Sequence, residues 1–228
     1  MSRENINQDP LRRKALKVGY WASISVAVFT IIYIIALPLT FNFSPWEGID
    51  EYVDEFKPTQ IFTVIPSILL ASAFLIFSVC LHYYATTDKK IWSHLGIVFS
   101  LVYATISTAN YLVQLLSITP SLLNNELDGV TIFVPGYSNS IFYALMGSYL
   151  YMTIAAFFMS ALFSGGRLER AIKWSFVGVG LSGLLILVGG STGISVLMPL
   201  SGGLWFISLT TGTILVARLF KRNLKKGF

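Results

Sequence analysis

Six long apolar stretches constrain the fold of this chain more than any other feature. Each can cross a hydrocarbon core of about 30 Å, which takes roughly 20 helical residues. None contains Asp or Glu, and their apolar runs are continuous rather than alternating, so we predict helices and not barrel strands. The fold class is therefore an all-α polytopic membrane bundle of six transmembrane helices. The predicted spans are residues 18–40, 59–84, 91–118, 139–163, 171–190 and 193–220.

Composition agrees with this reading and excludes several others. Only 12% of the 228 residues are charged and the mean hydropathy is +0.69, which excludes an ordinary soluble domain and a disordered chain. Cys80 is the single cysteine, so no intrachain disulfide and no site with several cysteine ligands can form. The first span is longer than the apolar core of a signal peptide and lacks a small-residue cleavage site, so we expect it to stay in the membrane.

Basic residues predict the orientation of the spans. Fifteen of the 16 Lys and Arg residues lie on one side of the membrane in this arrangement, and Lys57 alone lies on the other. Because cytoplasmic loops are enriched in Lys and Arg, we predict that both termini are cytoplasmic and that the protein lies in the plasma membrane. The fifteen are found in the N-terminal tail 1–17, the connections 85–90 and 164–173, and the C-terminal end with its tail 221–228.

This charge distribution also predicts the partners. The cations flank membrane spans, so we expect them to contact membrane lipids through the anionic headgroups of the cytoplasmic leaflet and not nucleic acid. A membrane-protein partner or a second copy of the chain is a further candidate. No cofactor motif in a suitable structural context is present, and we expect no cofactor.

The two long connections on the opposite side differ from each other in character. Residues 44–57 place apolar side chains at helical spacing beside acidic ones, which predicts a short amphipathic helix on the outer surface. That helix is either a lid or cation-attracting rim, or only an interfacial connector with solvated charges. The third-to-fourth connection is long for a bundle, and its apolar segment 130–134 is expected to fold back onto the bundle mouth.

The third predicted span carries a stripe of small and polar side chains. Lipid cannot satisfy their hydrogen bonds, so we expect the stripe to be buried and the helix to lie near the bundle centre. Asn110 and Gln114 are its most polar pair. The stripe comprises Ser93, Gly96, Ser100, Tyr103, Ser107, Asn110, Gln114 and Ser117.

Neighbouring spans add polar groups at a similar depth, which gives two interpretations. In one, the groups line a neutral ligand pocket in the outer half of the bundle. In the other, they form interhelical hydrogen bonds, which contribute about 0.6 kcal/mol each on average. The predicted ligand-binding residues are Tyr103, Ser107, Asn110, Gln114, Tyr143, Ser148 and Tyr151.

Residues that could carry other chemistry are few. His82 and His94 flank one cytoplasmic connection and could hold a metal as a pair, but no Cys, Asp or Glu from a span completes the site, so we predict no metal site. Ser182 lies in a Gly-x-Ser-Gly pattern, yet no histidine follows His94 to act as its base. We predict no catalytic residues, and an enzyme is the less favoured class.

Part of the chain resembles a group of bacterial integral membrane proteins of unknown function. The resemblance covers residues 107–180 and is carried by the segments 109–115 (ANYLVQL), 144–150 (ALMGSYL) and 172–176 (IKWSF). It implies a six-helix bacterial membrane protein in which the Asn110 and Gln114 pair is not present by chance. It implies no activity.

These observations give two functional hypotheses. The first is binding or facilitated movement of a neutral or lipid-like small molecule in the polar pocket. The second is a scaffold or regulatory subunit of a membrane complex, without catalysis. Proton-coupled transport is disfavoured because no ionisable acid lies inside a span.

Overall fold

The computed structural model describes residues 10–40, 49–56, 58–134 and 141–226, and every regular element in these ranges is helical. The helices are α1 (Pro10–Thr40), α2 (Ile49–Glu55), α3 (Ile61–Tyr84, preceded by the 3-10 turn Pro58–Gln60), α4 (Lys90–Val113), α5 (Thr119–Leu123), α6 (Ile141–Met146), α7 (Ser148–Ser160), α8 (Arg167–Thr192) and α9 (Leu197–Lys226). The third long helix continues without a break from α4 through a π-helical turn, Gln114–Ile118, into α5.

Five of the described helical segments are long and apolar enough to cross a membrane. They contain α1, α3, α4 with α5, α8 and α9, and they match five of the six predicted spans. The fourth predicted span differs, because it is divided into α6 and α7. The Gly147 amide donates to the Ala144 carbonyl, three residues back, at 3.1 Å, so the regular helical bonding is interrupted there. The basic segments are also more helical than predicted, since α1 and α9 extend beyond their spans into both tails.

Six helices form a closed ring. Along it α1 packs on α3, α3 on α4, α4 on α7, α7 on α8, α8 on α9, and α9 returns to α1. The expectation that the third span lies at the centre is wrong. The apolar part of α3 is 61% buried and that of the α4 segment only 39%. A helix in a ring needs only one face directed inward. The stripe on α4 is that face, and the rest of the helix lies on the outside of the ring.

Aromatic side chains fill the interior of the ring towards the helix ends that carry the basic residues. Phe77, Phe163 and Phe176 are fully or almost fully buried. Phe176 meets Phe77 and Phe163 edge to face, with ring centroids 6.0 and 5.7 Å apart. Such contacts add about 0.5–1.5 kcal/mol each beyond the burial of area. This half of the interior is therefore closely packed.

The cation-rich segments meet at one end of the ring, which we call the basic end. An Arg12 guanidinium nitrogen donates to the Tyr84 carbonyl at 3.3 Å, and the Tyr84 hydroxyl donates to Glu169 at 2.8 Å. Lys89 donates to the Leu162 carbonyl at 3.0 Å. These bonds connect the start of α1, the α3–α4 turn and the α7–α8 turn.

The other end, which we call the acidic end, has a small apolar cap. In α2, the predicted amphipathic helix 44–57 is present over residues 49–55, while residues 44–48 and 57 lie outside the described residues. Tyr52 of α2 is 1% exposed and belongs to a separate apolar cluster with Ile118, Leu122, Val130 and Val134. The burial of Val130 and Val134 confirms that segment 130–134 folds back onto the bundle mouth.

Candidate functional site

The polar stripe of α4 is buried over most of its length, and its serines are paired. Ser100 donates to the Gly96 carbonyl at 2.7 Å and its hydroxyl lies 2.7 Å from that of Ser78 on α3. The Ser107 hydroxyl lies 2.7 Å from that of Ser148 on α7. These three contacts are the interhelical and local bonds that a packed bundle makes. The last stripe residue, Ser117, is exposed.

Gln114 is used to hold the cap. Its side-chain nitrogen donates to the Phe133 carbonyl at 2.8 Å, which attaches segment 130–134 to the first residue of the π-helical turn. The side chain is 5% exposed. Gln114 therefore has a structural partner and is not an open binding group.

Asn110, one turn earlier, is different. It is 1% exposed, and neither its amide nitrogen nor its amide oxygen has a hydrogen-bond partner among the described residues. The Tyr103 hydroxyl and the Trp205 indole nitrogen are likewise buried and unpartnered within that part of the chain. A buried donor or acceptor left unpaired costs about 1–3 kcal/mol, so such groups call for an explanation.

Tyr103 and Trp205 belong to a set of aromatic rings from four helices, and Asn110 lies on the same face of α4 as Tyr103, two turns further along. The Tyr149 ring of α7 lies 5.4 Å from that of Tyr103, 5.6 Å from that of Trp205 and 6.4 Å from that of Tyr33. The Tyr149 and Tyr111 hydroxyls are 3.2 Å apart. We call the whole set the polar–aromatic cluster; it consists of Tyr33, Tyr103, Asn110, Tyr111, Tyr149 and Trp205.

Both irregular stretches of helix border this cluster. The π-helical turn begins at Gln114, directly after the segment that carries Asn110 and Tyr111. The break at Gly147 precedes Ser148 and Tyr149, and the Tyr111 hydroxyl lies 3.4 Å from the Met146 sulfur beside it. Non-helical backbone at membrane depth is tolerated where it is buried in protein or lines a cavity, and π turns are frequent at functional sites. The two irregularities therefore mark the same region.

Comparison with known proteins does not identify this arrangement. Family models, curated proteins and solved structures give no match to the chain. The resemblance to bacterial membrane proteins of unknown function stays a prediction, and the function has to be inferred from the cluster itself.

The structure places the seven predicted ligand-binding residues in different surroundings. Tyr103 and Asn110 belong to the polar–aromatic cluster, while Ser107, Ser148 and Gln114 make the bonds given above. Tyr151 is half-buried and its ring stacks on Phe99 at 6.3 Å. Tyr143 lies in α6, but its side chain is outside the described residues.

Sequence reasoning missed most of the aromatic members of the cluster. Tyr33, Tyr149 and Trp205 come from three helices other than α4, and Tyr111 lies beside the stripe rather than in it. Each is an ordinary aromatic residue of an apolar span. The only available signal was the pair Ser148-Tyr149 directly after Gly147, where a helix breaker is followed by two polar-tipped side chains.

The histidine pair does come together at the basic end. The rings of His82 and His94 are 4.4 Å apart. The two ring nitrogens of His82 already have neighbours, with Ser93 at 2.8 Å and the Lys90 ammonium at 3.3 Å. Within the described ranges no group of three or more potential metal ligands occurs.

Ser182 in α8 is engaged in packing. Its hydroxyl donates to the Val179 carbonyl at 2.6 Å, and its own carbonyl accepts a bond from Ser201 of α9 at 2.8 Å. Ser182 is 1% exposed. Its contacts are those of a residue at a close helix–helix crossing.

Proposed function

We propose that the chain crosses a bacterial plasma membrane six times with both termini in the cytoplasm. The broken fourth element supports this count, because residues 141–160 have about 30 Å of helical rise in total. The gathering of basic segments at one end of the ring supports the orientation. The basic end then faces the cytoplasm and the acidic end faces outward.

We further propose that the protein binds a neutral, amphipathic small molecule in the polar–aromatic cluster, in the outer half of the membrane. The Asn110 amide, which has no hydrogen-bond partner among the described residues, carries this proposal. The Asn110 amide offers two donors and an acceptor. The Tyr103 hydroxyl offers one donor and an acceptor, and the Trp205 indole offers one donor. None of these groups is charged at neutral pH, so the preferred ligand is neutral, with carbonyl or hydroxyl groups.

The aromatic members of the cluster determine the rest of the ligand chemistry. Tyr33, Tyr149 and Trp205 present apolar faces beside polar tips, which is typical of sites that hold a largely apolar molecule by a few polar contacts. A lipid-like molecule with one polar group has this character. Facilitated movement of such a ligand would need a helix that can bend beside it. The break at Gly147 provides such a point, because transporters use broken helices at their binding sites.

Thiol labelling tests the proposal, with the small neutral reagent N-ethylmaleimide as the probe. In a Cys80→Ala background, Asn110→Cys is made beside two controls. Asn124→Cys lies on the exposed connection at the acidic end, and Ser78→Cys lies in the packed serine pair. We expect Asn110→Cys to react within about tenfold of the rate of Asn124→Cys and far faster than Ser78→Cys.

The outcomes separate the two functional hypotheses. An Asn110→Cys variant as unreactive as Ser78→Cys means that the cluster is sealed by packing, which leaves the scaffold or regulatory role. The paired serines Ser78, Ser100, Ser107 and Ser148 are the observation that favours that role. A charged, membrane-impermeant maleimide added to intact cells tests the orientation in the same samples, because it should label only Asn124→Cys among the two control variants.

A further inference from the structure

The basic end contains an open cleft between the start of α8 and the last two turns of α9. Its volume is about 1010 Å³. Five cationic side chains line it, and all five are exposed. They are Arg167, Arg218, Lys221, Arg222 and Lys225.

Among the described residues that line the cleft, Glu169 alone is acidic, and its carboxylate is bonded elsewhere. Glu169 accepts a bond from the Tyr84 hydroxyl at 2.8 Å through one oxygen. Its other oxygen accepts from the backbone amides of Ser164 and Gly165, at 3.2 and 2.7 Å. Glu169 therefore holds the α7–α8 turn to α3, and within the described part of the chain the positive charge of the cleft is left largely uncompensated.

Arginine is well suited to bind a phosphate group. Its planar guanidinium donates two parallel hydrogen bonds to oxygens of one phosphate, while lysine supplies a compact point charge. Arg218 and Arg222 are one helical turn apart on α9, and so are Lys221 and Lys225. Side chains at this spacing lie on one face of a helix, so each pair can reach the same anion.

The position of the cleft relative to the membrane favours a lipid as the source of that phosphate. Trp174 of α8 and Trp21 of α1 are 66% and 67% exposed, and exposed tryptophans mark the headgroup level of a bilayer. Arg167 precedes Trp174 by two helical turns, about 10 Å towards the basic end. Leu168 and Leu219 also line the cleft and give it an apolar wall.

We propose that this cleft is a phosphate-binding site that takes the headgroup phosphate of an anionic phospholipid. Basic pockets between membrane helices on the cytoplasmic side bind such headgroups. The site is separate from the polar–aromatic cluster and does not depend on what binds there. A soluble phosphate could use the same cations, and the experiment distinguishes the two sources.

The experiment uses the full-length protein in nanodiscs of phosphatidylcholine with a tenth of cardiolipin, analysed by native mass spectrometry. The cleft variant is Lys221→Gln/Lys225→Gln. Its matched control is Lys14→Gln/Lys17→Gln, which removes two exposed lysines from α1, at the same end but outside the cleft. A lysine in contact with an anionic headgroup contributes about fivefold to binding, so we expect the cleft variant to lose roughly 25-fold in affinity for the cardiolipin that stays bound to the protein. The two control lysines lie outside the cleft and do not contact that bound lipid, so the control should lose less than about fivefold.

Equal losses in the two variants, or none in either, would overturn the proposal, because diffuse attraction to the bilayer does not distinguish the two pairs. Inorganic phosphate added to nanodiscs of phosphatidylcholine alone tests the soluble source. Binding that the cleft variant loses would confirm the site but assign it to a soluble phosphate. Lys221→Arg/Lys225→Arg keeps the charge and should keep the lipid, which shows that a loss in the glutamine variant reflects charge and not misfolding.

Discussion

Replacing Asn110 by leucine tests directly whether the buried Asn110 amide lacks a hydrogen-bond partner in the folded chain. Leucine has the same branching and the same number of side-chain heavy atoms as asparagine but is larger, and the substitution removes two buried polar atoms that have no partner among the described residues. Because each unpaired buried donor or acceptor costs about 1–3 kcal/mol, the ligand-free protein should become more stable. The extra volume in a packed core offsets about 1–3 kcal/mol of that gain. We therefore expect a net gain of about 1 kcal/mol in the free energy of unfolding.

Gln114→Leu is the matched control, one turn away on the same buried stripe. It removes the 2.8 Å bond to the Phe133 carbonyl and leaves that carbonyl without its donor. Interhelical bonds in membranes are worth about 0.6 kcal/mol on average and at most about 1.7 kcal/mol, so the loss should be about 1 kcal/mol. The two substitutions are alike in chemistry and opposite in predicted sign.

The measurement is the free energy of unfolding of each variant, by denaturant titration in one defined lipid–detergent mixture. The difference between the two leucine variants should be about 2 kcal/mol, which is roughly a thirtyfold ratio of unfolding constants. If Asn110→Leu is destabilised as much as Gln114→Leu, then the Asn110 amide is paired within the folded chain. Asn110 would then offer no unpaired group to a ligand, and the proposed binding at Asn110 would be refuted.

Two further predictions concern packing around the ring. A Cβ at Gly19 would lie 2.5 Å from a Phe220 ring carbon and 2.8 Å from Cys80 Cβ, so Gly19→Ala should lower the free energy of unfolding by about 1–3 kcal/mol. A Cβ at Gly203 would have no atom of the described residues within 4 Å, so Gly203→Ala should be neutral or stabilise by up to about 1 kcal/mol. A double-mutant cycle of Ser107→Ala and Ser148→Ala should give a coupling of about 0.6 kcal/mol, and a coupling of zero would show that their 2.7 Å contact contributes nothing to stability.

The sequence is informative about this fold because the bilayer imposes a simple rule. Spans must be long, apolar and helical, and five of the predicted ones coincide with long helices. The break in the fourth could not be predicted in the same way. Gly147 sits in an apolar run like many glycines of membrane helices, and the interruption depends on what Ser148 and Tyr149 meet on other helices. The π-helical turn at Gln114 has no signature in the sequence for the same reason.

The periodicity of the sequence predicts which helix face is buried at the candidate site, but not which atoms that face meets. The spacing on the third span correctly placed Asn110 and Gln114 on a buried face, since only one face of a helix with that pattern can avoid lipid. Their different roles follow from partners that are distant in sequence. The Phe133 carbonyl is 19 residues from Gln114, and no described group fills the corresponding place for Asn110. A one-dimensional pattern gives the face of a helix but not the atoms opposite it.

Helix α9 connects the two proposed sites and also shows that they are independent. Trp205 belongs to the polar–aromatic cluster and Arg218 to the cationic cleft, 13 residues further along the same helix. At 1.5 Å per residue they are about 20 Å apart along the helix. The interior between them is filled by side chains such as Phe176 and Leu209, at 1% and 0% exposure. A neutral ligand near the acidic end and a phosphate at the basic end must therefore bind separately, and failure of one proposal leaves the evidence for the other intact.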